Sequence, residues 1–272
     1  MSKKFWFVII GIIVIAFVSW DLTSHNSSTA SNNGADVVTS NASGAVTAPA
    51  SVVKELSAVP QTILDKIGVG SADAEPTAIS GKAIYQNNKP EIFYEGAEYC
   101  PYCATERWAI TVALDRFGSF TNLKLTHSST QDVYPNTQTL SFYGSTYTSP
   151  YISFVPVELD TNIPSASGSY TTLQTPTNEE NSLTNEYDKS GSIPFIYFAG
   201  KYEIQGATYN PSLLSGKTAE QIASSLANSN SAIAKGVDGA ANTITAGICG
   251  LTNNKPATAC DSTIKSIESQ LK

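Results

Sequence analysis

Charged side chains are scarce in this sequence, and basic ones are scarcer than acidic ones. Charged residues make up 14% of the chain, against about 25% in a typical soluble domain. Sixteen lysines and arginines stand against 23 aspartates and glutamates, which leaves a net charge of −7 at pH 7. A chain with this balance lacks the basic surface that nucleic-acid binding requires, so we exclude nucleic acid as a partner. Ser, Thr, Asn and Tyr supply the polarity instead, which suits a surface outside the cell.

Cysteine and histidine are also few. The four cysteines are Cys100, Cys103, Cys249 and Cys260, and the two histidines are His25 and His127. Zinc requires four ligands at compatible spacing, and these residues do not offer such a set, so we expect no metal and no other cofactor. The chain is nevertheless 41% hydrophobic and 10% aromatic, which is enough for a folded core and excludes disorder of the whole chain.

One long uncharged hydrophobic run lies near the N-terminus, at residues 5–20, directly after Lys3 and Lys4. We expect this run to be a transmembrane anchor that follows a cytoplasmic tip at residues 1–4. The alternative is a cleaved signal peptide, for which Ser28-Thr29-Ala30 is the first suitable triplet of small residues. Both interpretations place the rest of the chain outside the cell. The expected protein is therefore a single-pass protein of the cell membrane with its C-terminal domain facing outward.

Residues 21–51 have the composition of a flexible stalk. Of these 31 positions, 23 are Ser, Thr, Asn, Gly or Ala, and none is aromatic. Such a segment cannot bury enough apolar surface to offset the entropy lost on ordering. Asn26 and Asn41 begin N-x-S/T sequons and are glycosylation candidates. We expect the folded domain to span residues 52–272, with a helical lead-in and an insertion near residues 160–192.

The main chemical motif is C-P-Y-C at residues 100–103, which follows a predicted strand at residues 90–94 and opens a helix predicted to run to about Phe117. Free N–H groups and the dipole at a helix N-terminus stabilise a thiolate and lower a thiol pKa from about 8.5 to roughly 3.5–7.5. We therefore predict Cys100 as an exposed nucleophile and Cys103 as an inward-facing resolving thiol. The alternatives for this pair are a structural disulfide and half of a metal site.

The residues around this motif resemble the active-site approach of the thioredoxin superfamily. The resemblance rests on Ala97, Glu98, Tyr99, Cys100, Pro101, Tyr102 and Cys103, and on Ile193 and Pro194 ahead of a predicted hairpin. Three longer strings, at residues 96–118, 144–150 and 193–195, resemble an uncharacterised membrane-anchored thioredoxin-like family, domain of unknown function nine-twenty-nine. The resemblance implies an α/β thioredoxin-like fold with a helical insertion and extra C-terminal helices.

The same resemblance assigns roles near the cysteines. Pro194 takes the place of the superfamily's cis-proline and shapes the substrate groove, where the backbone of Ile193 would pair with a substrate strand. Pro101 and Tyr102 are the intervening residues of the motif and support its catalytic cysteines. The alternative for Pro194 is that it merely begins an edge strand.

The sequence departs from the superfamily at one position. Thioredoxins place a buried carboxylate six residues before the first cysteine, and this chain has Tyr94 there. Proton transfer to Cys103 therefore requires another group. Glu95 and Glu98 are near in sequence and are candidates, and the alternative is that both are solvated loop carboxylates.

Cys249 and Cys260 close a short polar loop between two predicted helices. In an exported chain this pair is expected to form a structural disulfide, since no reducing thiol pool exists there. The alternative is a shuttle pair that exchanges electrons with Cys100 and Cys103.

We therefore expect an extracytoplasmic thiol–disulfide oxidoreductase that forms or isomerises disulfides. Its substrates would be the thiols or disulfides of exported proteins, and a redox partner in the membrane would set the direction of the reaction. The main alternative is an inactive thioredoxin-fold scaffold or adhesion module with a structural disulfide. A peroxidase is a further alternative, although no additional peroxidatic cysteine is evident.

Overall fold

The computed structural model describes residues 43–272, which adopt a mixed α/β fold. The helices are α1 (Ala50–Ser57), α2 (Gln61–Ile67), α3 (Pro101–Asp115), α4 (Asn178–Tyr187), α5 (Ala219–Ser225), α6 (Ala232–Leu251) and α7 (Ser262–Glu268). The strands are β1 (Val46–Thr47), β2 (Thr77–Ala78), β3 (Tyr85–Gln86), β4 (Lys89–Gly96), β5 (Ser119–Thr121), β6 (Lys124–His127), β7 (Gln138–Ser141), β8 (Thr146–Thr148), β9 (Ser153–Glu158), β10 (Asp160–Pro164), β11 (Tyr170–Thr172), β12 (Phe195–Phe198) and β13 (Tyr202–Gln205). A short 3-10 helix covers Pro211–Leu214.

The expected anchor at residues 5–20, most of the expected stalk, and the sequons at Asn26 and Asn41 lie outside the described residues. Among residues 43–272, every helix is too short or too polar to cross a membrane.

Strand β4 is the central strand of the main sheet. It pairs with β12 in antiparallel orientation on one side and with β9 in parallel orientation on the other. Strand β12 continues into the antiparallel β13, and β2 and β3 add short pairings at β13 and at the start of β4. Because β4 and β9 are parallel, the chain must cross over between them, and α3 lies in that connection.

The alternating side chains of β4 build a separate core on each face of the sheet. Ile92 and Tyr94 are buried in the larger core together with Trp108 of α3. Phe93 points to the opposite face, where it belongs to a smaller core with Leu183 of α4. Helices α3 and α4 therefore cover opposite faces of one sheet.

Helix α4 begins at a capping box, in which Thr177 and Glu180 satisfy each other's backbone N–H groups. Its buried residue, Leu183, packs with Phe93 and Phe195, whereas the apolar group around the two cysteines includes Tyr99 and other residues from outside α4.

The C-terminal helices are joined by the predicted disulfide. Cys249 in α6 is bonded to Cys260, which lies two residues before α7, and both residues are fully buried. This confirms the pairing of the two cysteines. Closing a loop of this length is expected to stabilise the fold by roughly 3 kcal/mol through the lost entropy of the unfolded chain.

The predicted end of the stalk at residue 51 is wrong, because structure begins earlier. Ser43 and Ala45 are buried, and β1 pairs antiparallel with β6, with Val46 opposite Leu125. Backbone hydrogen bonds between β1 and β6 order this segment. The sequence argument considered only the small apolar surface of its side chains.

A buried carboxyl group in α6 gives the fold a measurable pH dependence. Asp238 is fully buried, and within residues 43–272 neither of its carboxyl oxygens has a hydrogen-bond partner. Burial raises the pKa of Asp238 from 3.8 to about 8. The folded protein therefore keeps this group protonated at pH values where the unfolded chain ionises it. Its contribution to the free energy of unfolding is complete below about pH 4 and declines as pH rises towards 8.

We expect the Asp238→Asn variant to lose this part of the pH dependence. Between pH 4 and 8 the free energy of unfolding of the wild type should fall more steeply than that of the variant, by up to about 1.4 kcal/mol per pH unit. Urea denaturation at several pH values measures both slopes. Parallel slopes for the two proteins would contradict the assignment.

Candidate functional site

The two cysteines of the motif meet at the first turn of α3. Cys100 is the N-cap residue, and its Sγ accepts a hydrogen bond from the backbone N–H of Cys103 at 3.3 Å. Pro101 occupies the first helical position, where its missing N–H removes nothing from the helix. The sulfur of Cys100 thus takes the place that a serine or aspartate oxygen takes at an ordinary N-cap.

Both cysteines are less exposed than the sequence predicted for an open site. Cys100 is 5% exposed and Cys103 is fully buried, while Tyr102 between them is 42% exposed. The expectation of a well-exposed Cys100 is therefore wrong, because Tyr99 and Ile193 pack against the pair. The inward position of Cys103 agrees with the sequence prediction.

The segment that holds Ile193 and Pro194 lies directly beside Cys100. The peptide bond between these two residues is cis, and the carbonyl oxygen of Ile193 accepts a hydrogen bond from Cys100 Sγ at 3.6 Å. Pro194 precedes β12, whose first residue Phe195 pairs with Glu95 at the end of β4. The pairing of β12 with β4 therefore places Ile193, which is 93 positions from Cys100 along the chain, in contact with the motif.

The two thiols have opposite electrostatic environments. The pKa of Cys100 lies below its ordinary value, first because of the hydrogen bond with the Cys103 side chain and also because backbone N–H groups at the helix start donate to its sulfur. Burial raises the pKa of Cys103 well above its ordinary value. The site therefore favours a thiolate on Cys100 and a protonated thiol on Cys103.

A buried ion pair that sequence reasoning missed lies one helical turn beyond Cys103. Arg107 is fully buried, and its Nε and Nη2 atoms donate to the two carboxylate oxygens of Glu158 at 2.8 and 2.6 Å. Arg107 Nη2 also donates to the carbonyl oxygen of Ala97 at 2.7 Å. The signal available in the sequence was an arginine four residues after Cys103, on the same face of a helix whose neighbours are apolar.

Tyr94 lies six residues before Cys100, and its ring is fully buried against Phe142. Its hydroxyl group has no hydrogen-bond partner within residues 43–272, and burial raises its pKa well above the ordinary value. The hydroxyl lies over Gly96, where any side chain would collide with it. Tyr94 is thus a neutral, tightly held group beneath the motif.

Glu98 is a buried structural anchor of the loop before the motif. Its Oε1 atom accepts hydrogen bonds from the hydroxyl groups of Ser43, at 2.7 Å, and Ser141, at 2.6 Å. The alternative of a solvated loop carboxylate is therefore wrong for Glu98, which is fully buried, and also for Glu95, which is 6% exposed. The segment that leads into the domain is tied to the loop that carries the cysteines.

Two tyrosines that flank Cys100 in the sequence each pair with a second tyrosine. Tyr99 stacks on Tyr170 with ring centroids 4.3 Å apart, and Tyr102 meets Tyr134 edge to face at 6.0 Å. Within residues 43–272, no group of three or more His, Cys, Asp or Glu side chains is arranged to hold a metal ion.

The comparisons with known proteins give one match. A family described as Domain of unknown function (DUF929) matches residues 75–250, which is more than half of the chain. The chain belongs to this family. No curated protein and no solved structure matches the chain.

The match to DUF929 covers most of the site. Cys100, Cys103, Arg107, Glu158 and Pro194 all fall inside the matched residues. Two further features of this chain, Ser43 and the second disulfide cysteine, lie beyond the ends of the match.

The role of Ser43 can be tested by comparing two serines of the same segment. Ser43→Ala leaves the buried carboxylate of Glu98 with one donor fewer, and we expect a loss of about 1–3 kcal/mol in the free energy of unfolding. Ser51→Ala is the control, because Ser51 is exposed. Urea denaturation of both variants measures the difference. Equal stabilities of the two variants would contradict the anchoring role of Glu98.

Proposed function

We propose that this DUF929 protein is an extracytoplasmic thiol–disulfide oxidoreductase with a thioredoxin-like fold. The observation that carries the proposal is the Cys100 sulfur at the N-cap of α3, which accepts the N–H of Cys103 while the carbonyl of Ile193 lies 3.6 Å away. The N–H of Cys103 stabilises a thiolate on Cys100, and a thiolate is the species that attacks disulfides.

The order of elements supports the thioredoxin-like fold. Strand β4, the cysteine motif, α3, β9, a cis-proline, the β12–β13 hairpin and a later helix follow one another along the chain. This is the order in which the thioredoxin superfamily arranges its elements. Helix α4 and its neighbouring strands β10 and β11 are insertions between β9 and the proline.

The reaction follows from the two different thiols. The Cys100 thiolate attacks one sulfur of a substrate disulfide. A bond forms between Cys100 Sγ and that sulfur, and the other substrate sulfur leaves with the electron pair. Cys103 then attacks Cys100 Sγ, which closes the ring and releases the second substrate sulfur as a thiol. Two electrons pass from the dithiol to the substrate, and the reverse sequence oxidises a substrate dithiol.

The substrates would be the thiols and disulfides of exported proteins. An N-terminal anchor at residues 5–20 would hold the domain at the outer face of the cell membrane, beside a membrane redox partner that sets the direction. Ile193 offers its backbone at the edge of the site, where an extended substrate segment can pair with it.

Activity assays on paired variants test the proposal. We expect the full-length protein to accelerate reduction of insulin disulfides by dithiothreitol and Cys100→Ser to fall to the uncatalysed rate. The double variant Cys249→Ser/Cys260→Ser is the control and should retain activity, since this disulfide is buried between helices. Loss of activity in that control, with a circular dichroism spectrum like that of the wild type, would favour a shuttle role for the second pair.

A trapping experiment separates the proposal from the scaffold alternative. Cys103→Ser cannot resolve a mixed disulfide, so it should accumulate substrates bound to Cys100 that dithiothreitol releases. An inactive scaffold predicts no trapped partners and equal behaviour of wild type and Cys100→Ser, and that result would end the proposal.

A further inference from the structure

The guanidinium group of Arg107 is a buried charge placed beside the resolving cysteine. Arg107 follows Cys103 by one helical turn, and its Nη2 atom donates to the carbonyl of Ala97, which packs directly against both cysteines. Its Nη1 atom is buried and has no hydrogen-bond partner within residues 43–272. An unpaired donor on a buried cation is costly, and an anion that forms next to it would be stabilised.

We propose that Arg107, oriented by Glu158, is a positioning residue that stabilises the Cys103 thiolate as it attacks the mixed disulfide on Cys100. The inference rests on the proposed oxidoreductase function. It supplies a group that helps Cys103 to ionise, because Tyr94 has a neutral hydroxyl at the position where thioredoxins have a buried carboxylate.

The step is a balanced exchange within the site. The S–H bond of Cys103 breaks, a bond forms between the sulfurs of Cys103 and Cys100, and the bond between Cys100 and the substrate sulfur breaks. The substrate sulfur leaves with the electron pair and takes up the proton that Cys103 has lost. No further oxidant is needed, because the mixed disulfide is itself the electron acceptor.

The other titratable groups around the cysteines do not supply a positive charge. Tyr94 from β4 stays neutral, because burial holds its pKa far above the ordinary value. Glu98 from the preceding loop accepts hydrogen bonds from two serine hydroxyls. Both carboxylate oxygens of Glu158, from β9, accept hydrogen bonds from Arg107. Arg107 also lowers the pKa of Cys103, against the larger effect of burial.

A two-phase reaction with Ellman's reagent isolates the resolving step. In the reduced full-length protein with the Cys249–Cys260 disulfide intact, attack by Cys100 releases the first thionitrobenzoate. Attack by Cys103 on the resulting mixed disulfide releases the second. The pH dependence of the second phase reports the ionisation of Cys103 separately from that of Cys100.

Two variants are expected to move the second phase in opposite directions. Arg107→Met combined with Glu158→Leu removes both charges, which a core tolerates better than one unpaired charge. We expect its second phase to slow about tenfold, with the midpoint about one pH unit higher. The first phase should slow less, because Arg107 lowers the pKa of Cys100 by less than the hydrogen bonds with Cys103 do. Glu158→Gln leaves the arginine without its counter-charge and should move the midpoint to lower pH.

Arg116→Met is the matched control, because Arg116 is the C-cap residue at the other end of α3. Arg116 is also largely buried, but its guanidinium bonds to Asn242 and to the carbonyl of Ala259. This variant should lose stability while keeping the wild-type midpoint.

The outcomes distinguish failure of the inference from failure of the function. If the wild type shows no second phase, the oxidoreductase proposal fails. If the second phase is present but the double variant keeps the wild-type midpoint, the role of Arg107 is overturned. Should the double variant not fold, Glu158→Gln decides alone, and an unchanged or higher midpoint overturns the inference.

Discussion

The hydrogen bond from the N–H of Cys103 to the sulfur of Cys100 is the interaction on which the proposed chemistry of this protein depends. It converts the first turn of α3 into a binding site for a negatively charged sulfur, because N–H groups at a helix start have no partner inside the helix. The rest of the fold supports this contact. Strand β4 delivers the loop before the helix, Glu98 anchors that loop, and the sheet register brings Ile193 to the other side of the sulfur.

The same arrangement explains why the proposed reaction needs a group that favours ionisation of Cys103. Complete burial keeps Cys103 protonated, and in the proposed reaction this would oppose the step that releases the substrate. A buried arginine compensates for this cost only if its own charge is held in place, and the two hydrogen bonds to Glu158 do this. Buried ion pairs contribute little net stability compared with apolar packing, so the presence of this one beside the cysteines fits a chemical role.

Local signals in the sequence predicted one part of the site, and its other part depended on distant contacts. A short sequence signature, recognisable without knowledge of the fold, marks each of four features: the cysteine motif, α3, the hairpin after Pro194 and the Cys249–Cys260 pair. The partnership of Arg107 with Glu158 spans 51 residues, and that of Ser43 with Glu98 spans 55. Such pairs depend on how sheet and helices pack together. Strand β1 was missed for the same reason, since its partner β6 and not its own composition orders it.

The most direct test of the account is the ionisation of Cys100 in the reduced full-length protein. The rate of alkylation of Cys100 by iodoacetamide, followed across pH with mass spectrometric assignment of the modified residue, gives the midpoint at which its thiolate forms. We expect a midpoint below the value of about 8.5 for free cysteine, because the Cys103 side chain and the backbone N–H groups at the start of α3 form hydrogen bonds with this sulfur. A midpoint at or above the value of free cysteine would contradict the claim that the start of α3 holds this sulfur as a nucleophile.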